Sequence, residues 1–96
     1  MAAYLVVDSQ LTDPEHYEGY KLKAKPIVER FGGEYLARGG AMSVKETDLW
    51  SPTRMVLIRF ASSAQAETFY KSAEYQAVLG ISKASARRTV FILEGL

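Results

Sequence analysis

The sequence predicts an α+β domain in the order strand, helix, strand, strand, helix, strand, and three observations lead there. Short β-branched or aromatic runs recur four times, at "AYLVVD" (3–8), "EYLAR" (34–38), "RMVLIRF" (54–60) and "RTVFILEG" (88–95). Two longer stretches between them change to helical spacing. Right-handed crossovers then force one four-stranded antiparallel sheet with both helices on one face, the ferredoxin-like split arrangement.

Each element has its own reason. The first run stops at polar Ser9 and Gln10. Asp13 can then cap a helix whose first position is Pro14, where the missing N–H costs nothing. Tyr17, Tyr20, Ala24, Ile27, Val28 and Phe31 make one apolar stripe, and Gly32 or Gly33 closes the helix in the left-handed conformation. Pro26 predicts a kink inside it. After "EYLAR" comes a long excursion, "GGAMSVKETDLWSPT", with a short strand expected at Met42 to Lys45. The second helical region opens with capping-box spacing from Ser62 to Gln65 and runs as one helix or as two broken near Ser72. No repeat or linker interrupts residues 1–96, so one domain is expected.

Composition narrows the function classes. A net charge of +1 gives no general attraction to nucleic acid or anionic membrane. The absence of cysteine removes disulfides, thiolate metal sites and cysteine nucleophiles. One histidine and no carboxylate cluster with ligand spacing lead to an expectation of no metal, and no cofactor fingerprint is present. "MAAYLVVDSQ" has no basic leader and too short an apolar run to be a signal peptide or to span a membrane, so a cytoplasmic protein is expected. RNA-recognition motifs share the βαββαβ order, but "RMVLIRF" lacks their glycine and aromatic pattern.

The strands are apolar on both faces. Tyr4 and Val6 oppose Leu5 and Val7; Met55 and Leu57 oppose Val56, Ile58 and Phe60; Phe91 and Leu93 oppose Val90 and Ile92. Two helices cover one face only, and the other would be a larger apolar patch than monomers expose. A second copy across a two-fold axis is the expected cover.

The candidate site residues centre on Arg38-Gly39-Gly40. Strand alternation places Arg38 on the face of Leu36, opposite Tyr35 and Ala37. The glycines could admit close backbone approach while Arg38 holds an anion bidentately. Alternatively Arg38 pairs with Glu46 or Glu94 and orients the long loop, a structural use that also recruits arginine and is the favoured reading. Tyr17 and Tyr20, one helical turn apart, and Tyr70 and Tyr75 around the helix break could reach between helices and sheet, with core packing as the alternative. Trp50 reads as a lid over that cleft or a plug at the dimer edge. His16 is expected to be solvated at the helix start, and "KASARR" to be a solvated helix end. No nucleophile motif identifies a catalytic residue.

The motifs "Y-x-x-Y…P-I-x-x-x-F-G-G-x-Y-L-A-R-G-G", "W-x-P-x-R-x-V-x-I-x-F", "A-x-x-F-Y-x-S-x-E-Y-Q" and a closing "E-G" cover nearly the whole chain. Together they resemble the bacterial domain-of-unknown-function family numbered thirteen-thirty, in the dimeric α/β-barrel superfamily. The resemblance implies a ferredoxin-like protomer and a barrel made of two sheets. It implies no chemistry of its own. The chain differs from the family pattern at Arg59, Ala61 and Phe69, and in the spacing between Glu46 and Trp50. Three expectations follow: a dimer that binds a small polar or anionic molecule between helices and sheet, a cofactor-free monooxygenase or isomerase like some superfamily relatives, or a purely structural or stress-associated dimer with no ligand.

Overall fold

The computed structural model describes residues Met1–Leu96. Its elements are β1 (Ala3–Leu11), α1 (Pro14–Arg30), β2 (Glu34–Arg38), β3 (Met55–Phe60), α2 (Ser63–Lys71), α3 (Ala73–Ser85) and β4 (Ala86–Glu94). The strands form one antiparallel sheet in the order β2-β3-β1-β4. This is the ferredoxin-like arrangement expected from the sequence.

The helix boundaries follow their caps. Asp13 accepts a hydrogen bond from the His16 backbone N–H, and Gly32 is left-handed at φ 84°. The α1 helix runs unbroken through Pro26. Ser62 accepts from the backbone N–H of Gln65, but the Gln65 side chain donates to the Phe31 carbonyl and so ties α2 to the end of α1. Ser72 divides the second helical region by ending α2 and capping α3. Strands β1 and β4 are longer than the apolar runs suggested, because Ser9, Gln10 and Leu11 pair with Arg88, Arg87 and Ala86. The short strand expected at Met42 to Lys45 does not form; residues 39–54 lie outside any helix or strand.

Leu5, Val7, Val56, Ile58 and Phe60 face the helices and pack with Tyr20, Val28, Phe69 and Tyr75 in the core. The opposite face leaves Leu36 47%, Phe91 41% and Leu93 55% exposed, with Val6 and Leu57 half-buried between them. Both faces are apolar, as the strand patterns required. No helix is long and apolar enough to cross a membrane.

The sequence reading failed in one place within the sheet. Tyr35 pairs with Ile58 and Ala37 with Leu57, so Leu36 is the extra residue of a β-bulge. Simple alternation would put Arg38 with Leu36. The bulge instead sets Arg38 opposite Val56, on the helix face with Tyr35. The single inserted residue therefore turns the arginine inward.

Candidate functional site

A cleft opens between α1, α3 and the helix face of the sheet. Its floor is apolar (Leu5, Val7, Val56 and Ile58), and Tyr17, Tyr20 and Tyr75 form its helical walls. Arg38, Arg54 and Arg88 line it from the sheet side. The enclosed space is about 30 Å³, room for roughly two water-sized groups.

Arg38 reaches the cleft because of the bulge. Its guanidinium lies 4.5 Å from the centre of the Tyr35 ring and donates to the Lys21 carbonyl at 2.9 Å. It makes no ion pair with Glu46 or Glu94. The internal partner is thus a backbone carbonyl at mid-α1, not the expected carboxylate. Burial is the main influence raising the Tyr35 phenol above its ordinary value, against the opposing Arg38 charge.

Arg54 owes its position to two other residues. Gly39 has a φ of 72°, and a Cβ there would stand 2.7 Å from Arg54 Nε. The close approach that the glycines were expected to allow is therefore made by the chain's own arginine. On the outer face, Asp8 accepts from the backbone N–H groups of Thr53 (2.9 Å) and Arg54 (3.1 Å) and from the Trp50 indole (3.0 Å). Burial alone would raise the Asp8 carboxyl, but these donors hold it below its ordinary value. The loop is thereby strapped down just before β3, and Arg54 extends towards the Tyr17 ring, 5.9 Å from its centre.

Arg88 lies on the far side of β1 from Arg54, paired with Ser9, whose N–H bonds the Arg54 carbonyl. Its Nη2 donates to the Tyr75 hydroxyl at 3.1 Å, and Nη1 donates to Ser82 Oγ. The guanidinium sits 5.1 Å from the Tyr20 ring centre, and the Tyr20 and Tyr75 oxygens are 2.6 Å apart. Burial opposes the Arg88 charge, but the neighbouring Tyr20, Tyr75 and Tyr17 outweigh it, and the guanidinium's proton is held more tightly than usual. Burial, then Tyr75, pushes the Tyr20 phenol well above its ordinary value, so it stays protonated.

Three guanidinium groups thus face one cleft, each against a tyrosine, and no carboxylate lines it. The ion pairs of the molecule are elsewhere: Lys21–Glu18 (3.0 Å), Arg30–Glu74 (3.7 Å) and Lys71–Glu67 (3.3 Å). Of these residues, Lys21 alone touches the cleft, and Glu18 answers its charge. Guanidinium groups are suited to bidentate, charge-assisted hydrogen bonds with oxyanions.

Among the residues singled out from sequence, Arg38, Tyr17 and Tyr20 line the cleft, as does Tyr75. Tyr70 lines a separate hollow beside Leu79 and Val90 and packs on Tyr75, its ring centre 5.4 Å away. Trp50 is no lid over the cleft: it is 52% exposed beside Asp8, Thr89 and Phe91 on the outer sheet face. Glu46 is exposed in the long loop, and Gly40 has open space around it. His16 is exposed at the helix start. Arg54 and Arg88 were missed. Arg88 belongs to "KASARR", where Lys83 and Arg87 are solvated as expected, but pairing with Ser9 points Arg88 inward. The available signal was parity, since Arg54 and Arg88 continue the alternation of Val56, Ile58, Val90 and Ile92.

A family model described as "Domain of unknown function (DUF1330)" matches residues 2–96. The chain belongs to that family. No curated protein matches it. The DUF1330 chain is similar in fold to a protein of unknown function from Rhodopseudomonas palustris, at TM-score 0.78 and 15% identity over 99% of this chain and 82% of the other. A dimeric ferredoxin-like protein of unknown function from Jannaschia sp. CCS1 aligns at TM-score 0.76 and 16% identity, over 99% and 100% of the two chains. SnoaB, a cofactor-independent oxygenase from Streptomyces nogalater, aligns at 0.69 and 10%, over 99% and 93%. These likenesses establish the ferredoxin-like fold of this DUF1330 protein.

Proposed function

We propose that this DUF1330 protein binds a small anionic molecule in the cleft between α1, α3 and the sheet, acting as one domain over residues 1–96 and as a homodimer through its outer sheet faces. The observation that carries the reading is the convergence of Arg38, Arg54 and Arg88 on a cleft with no carboxylate. Cations brought together at a partly desolvated site repel each other unless something answers them, and the folded chain supplies only neutral groups: phenols, the Ser82 hydroxyl and the Lys21 carbonyl. An oxyanion supplies what is missing. The dimer is supported by the exposed Leu36, Phe91 and Leu93 and by relatives described as dimeric.

A cofactor-free enzyme is the second reading, favoured by the fold likeness to an oxygenase. The cleft lining contains neither histidine nor carboxylate to serve as a general base, so binding is the better-supported role. Nuclear magnetic resonance titration of the isotope-labelled protein with small carboxylates tests it. Saturable shifts around the cleft, lost in the Arg54→Ala variant, are expected. No response to any carboxylate, phosphate or sulfate at millimolar concentration would overturn the reading.

A further inference from the structure

The inner end of the cleft has more hydrogens to donate than oxygens to receive them. Tyr20 and Tyr75 share one hydrogen bond, and Tyr75 also accepts from Arg88 Nη2. If Tyr20 donates, the Tyr75 hydroxyl hydrogen has no protein acceptor. If Tyr75 donates, the Tyr20 hydrogen has none. Either way one phenolic hydrogen is left over, in residues only 8% (Tyr20) and 1% (Tyr75) exposed. The Arg88 Nε–H is also buried without a partner. Asp8, the carboxylate nearest in sequence to β1's pairing with Arg88, is committed on the other face to Trp50, Thr53 and Arg54.

A water molecule does not cure this shortage. It brings two lone pairs but also two hydrogens, so the surplus of donors is passed along. A primary amide has the same defect, since its NH2 group would enter a place with no free acceptor. A deprotonated oxygen brings lone pairs alone. The cost of an unmatched buried donor therefore turns into discrimination between a charged head group and its neutral isostere.

We infer that Tyr20, Tyr75 and Arg88 form the specificity-determining end of the site: they receive the carboxylate head of the ligand and reject the corresponding amide. The inference rests on the anion-binding reading of the cleft and adds to it a location and a selectivity. Arg38, over the Tyr35 ring, and Arg54, 5.9 Å from the Tyr17 ring centre, supply further positive charge along the cleft. The enclosed volume of about 30 Å³ suits a head group of two oxygens and leaves the rest of the ligand towards the mouth.

The test is a resonance titration of the full chain with acetate and benzoate, and with acetamide and benzamide as neutral isosteres. The arginine Nε–H and tyrosine ring signals are followed. The expected result is a saturable shift of the Arg88 Nε–H with the carboxylates and affinity at least tenfold weaker for the amides. The Tyr20→Phe/Tyr75→Phe double variant should weaken acetate by tenfold or more while leaving the charges of Arg38 and Arg54 intact. If the carboxylates bind but shift only Arg38 and Arg54, the cleft reading stands and this inference fails. Equal binding of acetamide with the same Arg88 shift also sinks it. If no carboxylate binds, both readings fall. The wild-type shifts decide the matter even if the double variant does not fold.

Discussion

Gly39 and Arg54 share one space: a Cβ built on the glycine would lie 2.7 Å from the guanidinium Nε and 3.0 Å from Cζ. The glycine after β2 is needed because an arginine from the other end of a long loop packs over it. Arg38 at the end of β2 and Arg54 just before β3 can then enter the same cleft.

Gly39→Ala must accept a left-handed φ and displace Arg54, so a loss of roughly 1–2 kcal/mol is expected from the backbone alone. Gly40→Ala meets nothing within 4 Å and should stay within about 0.5 kcal/mol of the parent. Urea denaturation of the two variants checks the contrast. Equal stabilities would show that Gly39 has no special role.

The Asp8 strap gives a pH dependence with a definite sign. The carboxyl is held below its ordinary value of 3.8, so the folded state favours the ionised form. Its contribution is complete above 3.8 and is lost as pH falls through the lower folded value. Asp8→Asn should therefore be less stable than the parent at pH 7, with the gap closing as pH falls below 3.8 and the parent carboxyl is protonated at its lower folded value. Trp50 fluorescence in the same experiment should report release of the loop. A gap that widens in acid would contradict the assignment.

Tyr75 and Tyr20 should respond differently to loss of the hydroxyl. Tyr75→Phe removes the acceptor of Arg88 Nη2 in a guanidinium whose Nε–H is already unpaired, so a cost of about 1–3 kcal/mol is expected. Tyr20→Phe leaves the Arg88–Tyr75 bond in place and should cost about 0.5–1.5 kcal/mol. Thermal unfolding of both variants at neutral pH orders them. The reverse order would mean that Tyr20, rather than Tyr75, anchors Arg88.

A charge in the middle of the outer sheet face should separate the copies. Leu57 sits there between β1 and β2, half-buried in the single chain. Leu57→Asp should halve the mass seen by light scattering after size exclusion, while far-ultraviolet circular dichroism remains native. A parent protein that already has the mass of one chain at micromolar concentration would remove the dimer from the account.

The residues alone determined the order of elements, the caps at Asp13 and Ser62, a left-handed glycine at 32 or 33, a helix break near Ser72 as one of two alternatives, and the two apolar sheet faces. All of these depend on neighbours within a few positions or on strict two-residue alternation, which a sequence displays directly. The cleft was legible only in part. Tyr17, Tyr20 and Arg38 were visible as candidates, but Arg38 was assigned to the wrong face because the bulge at Leu36 breaks alternation without a marker in "EYLAR". Arg54 and Arg88 are 34 positions apart in the chain and became neighbours across β1 only through the pairing of Ser9 with Arg88 and its bond to Arg54. Of the two places read for Trp50, the lid over the cleft was excluded by a hydrogen bond to Asp8, 42 residues away on the opposite face. Strand register and long-range polar contacts decided these positions, since they depend on which segments meet after the chain closes upon itself.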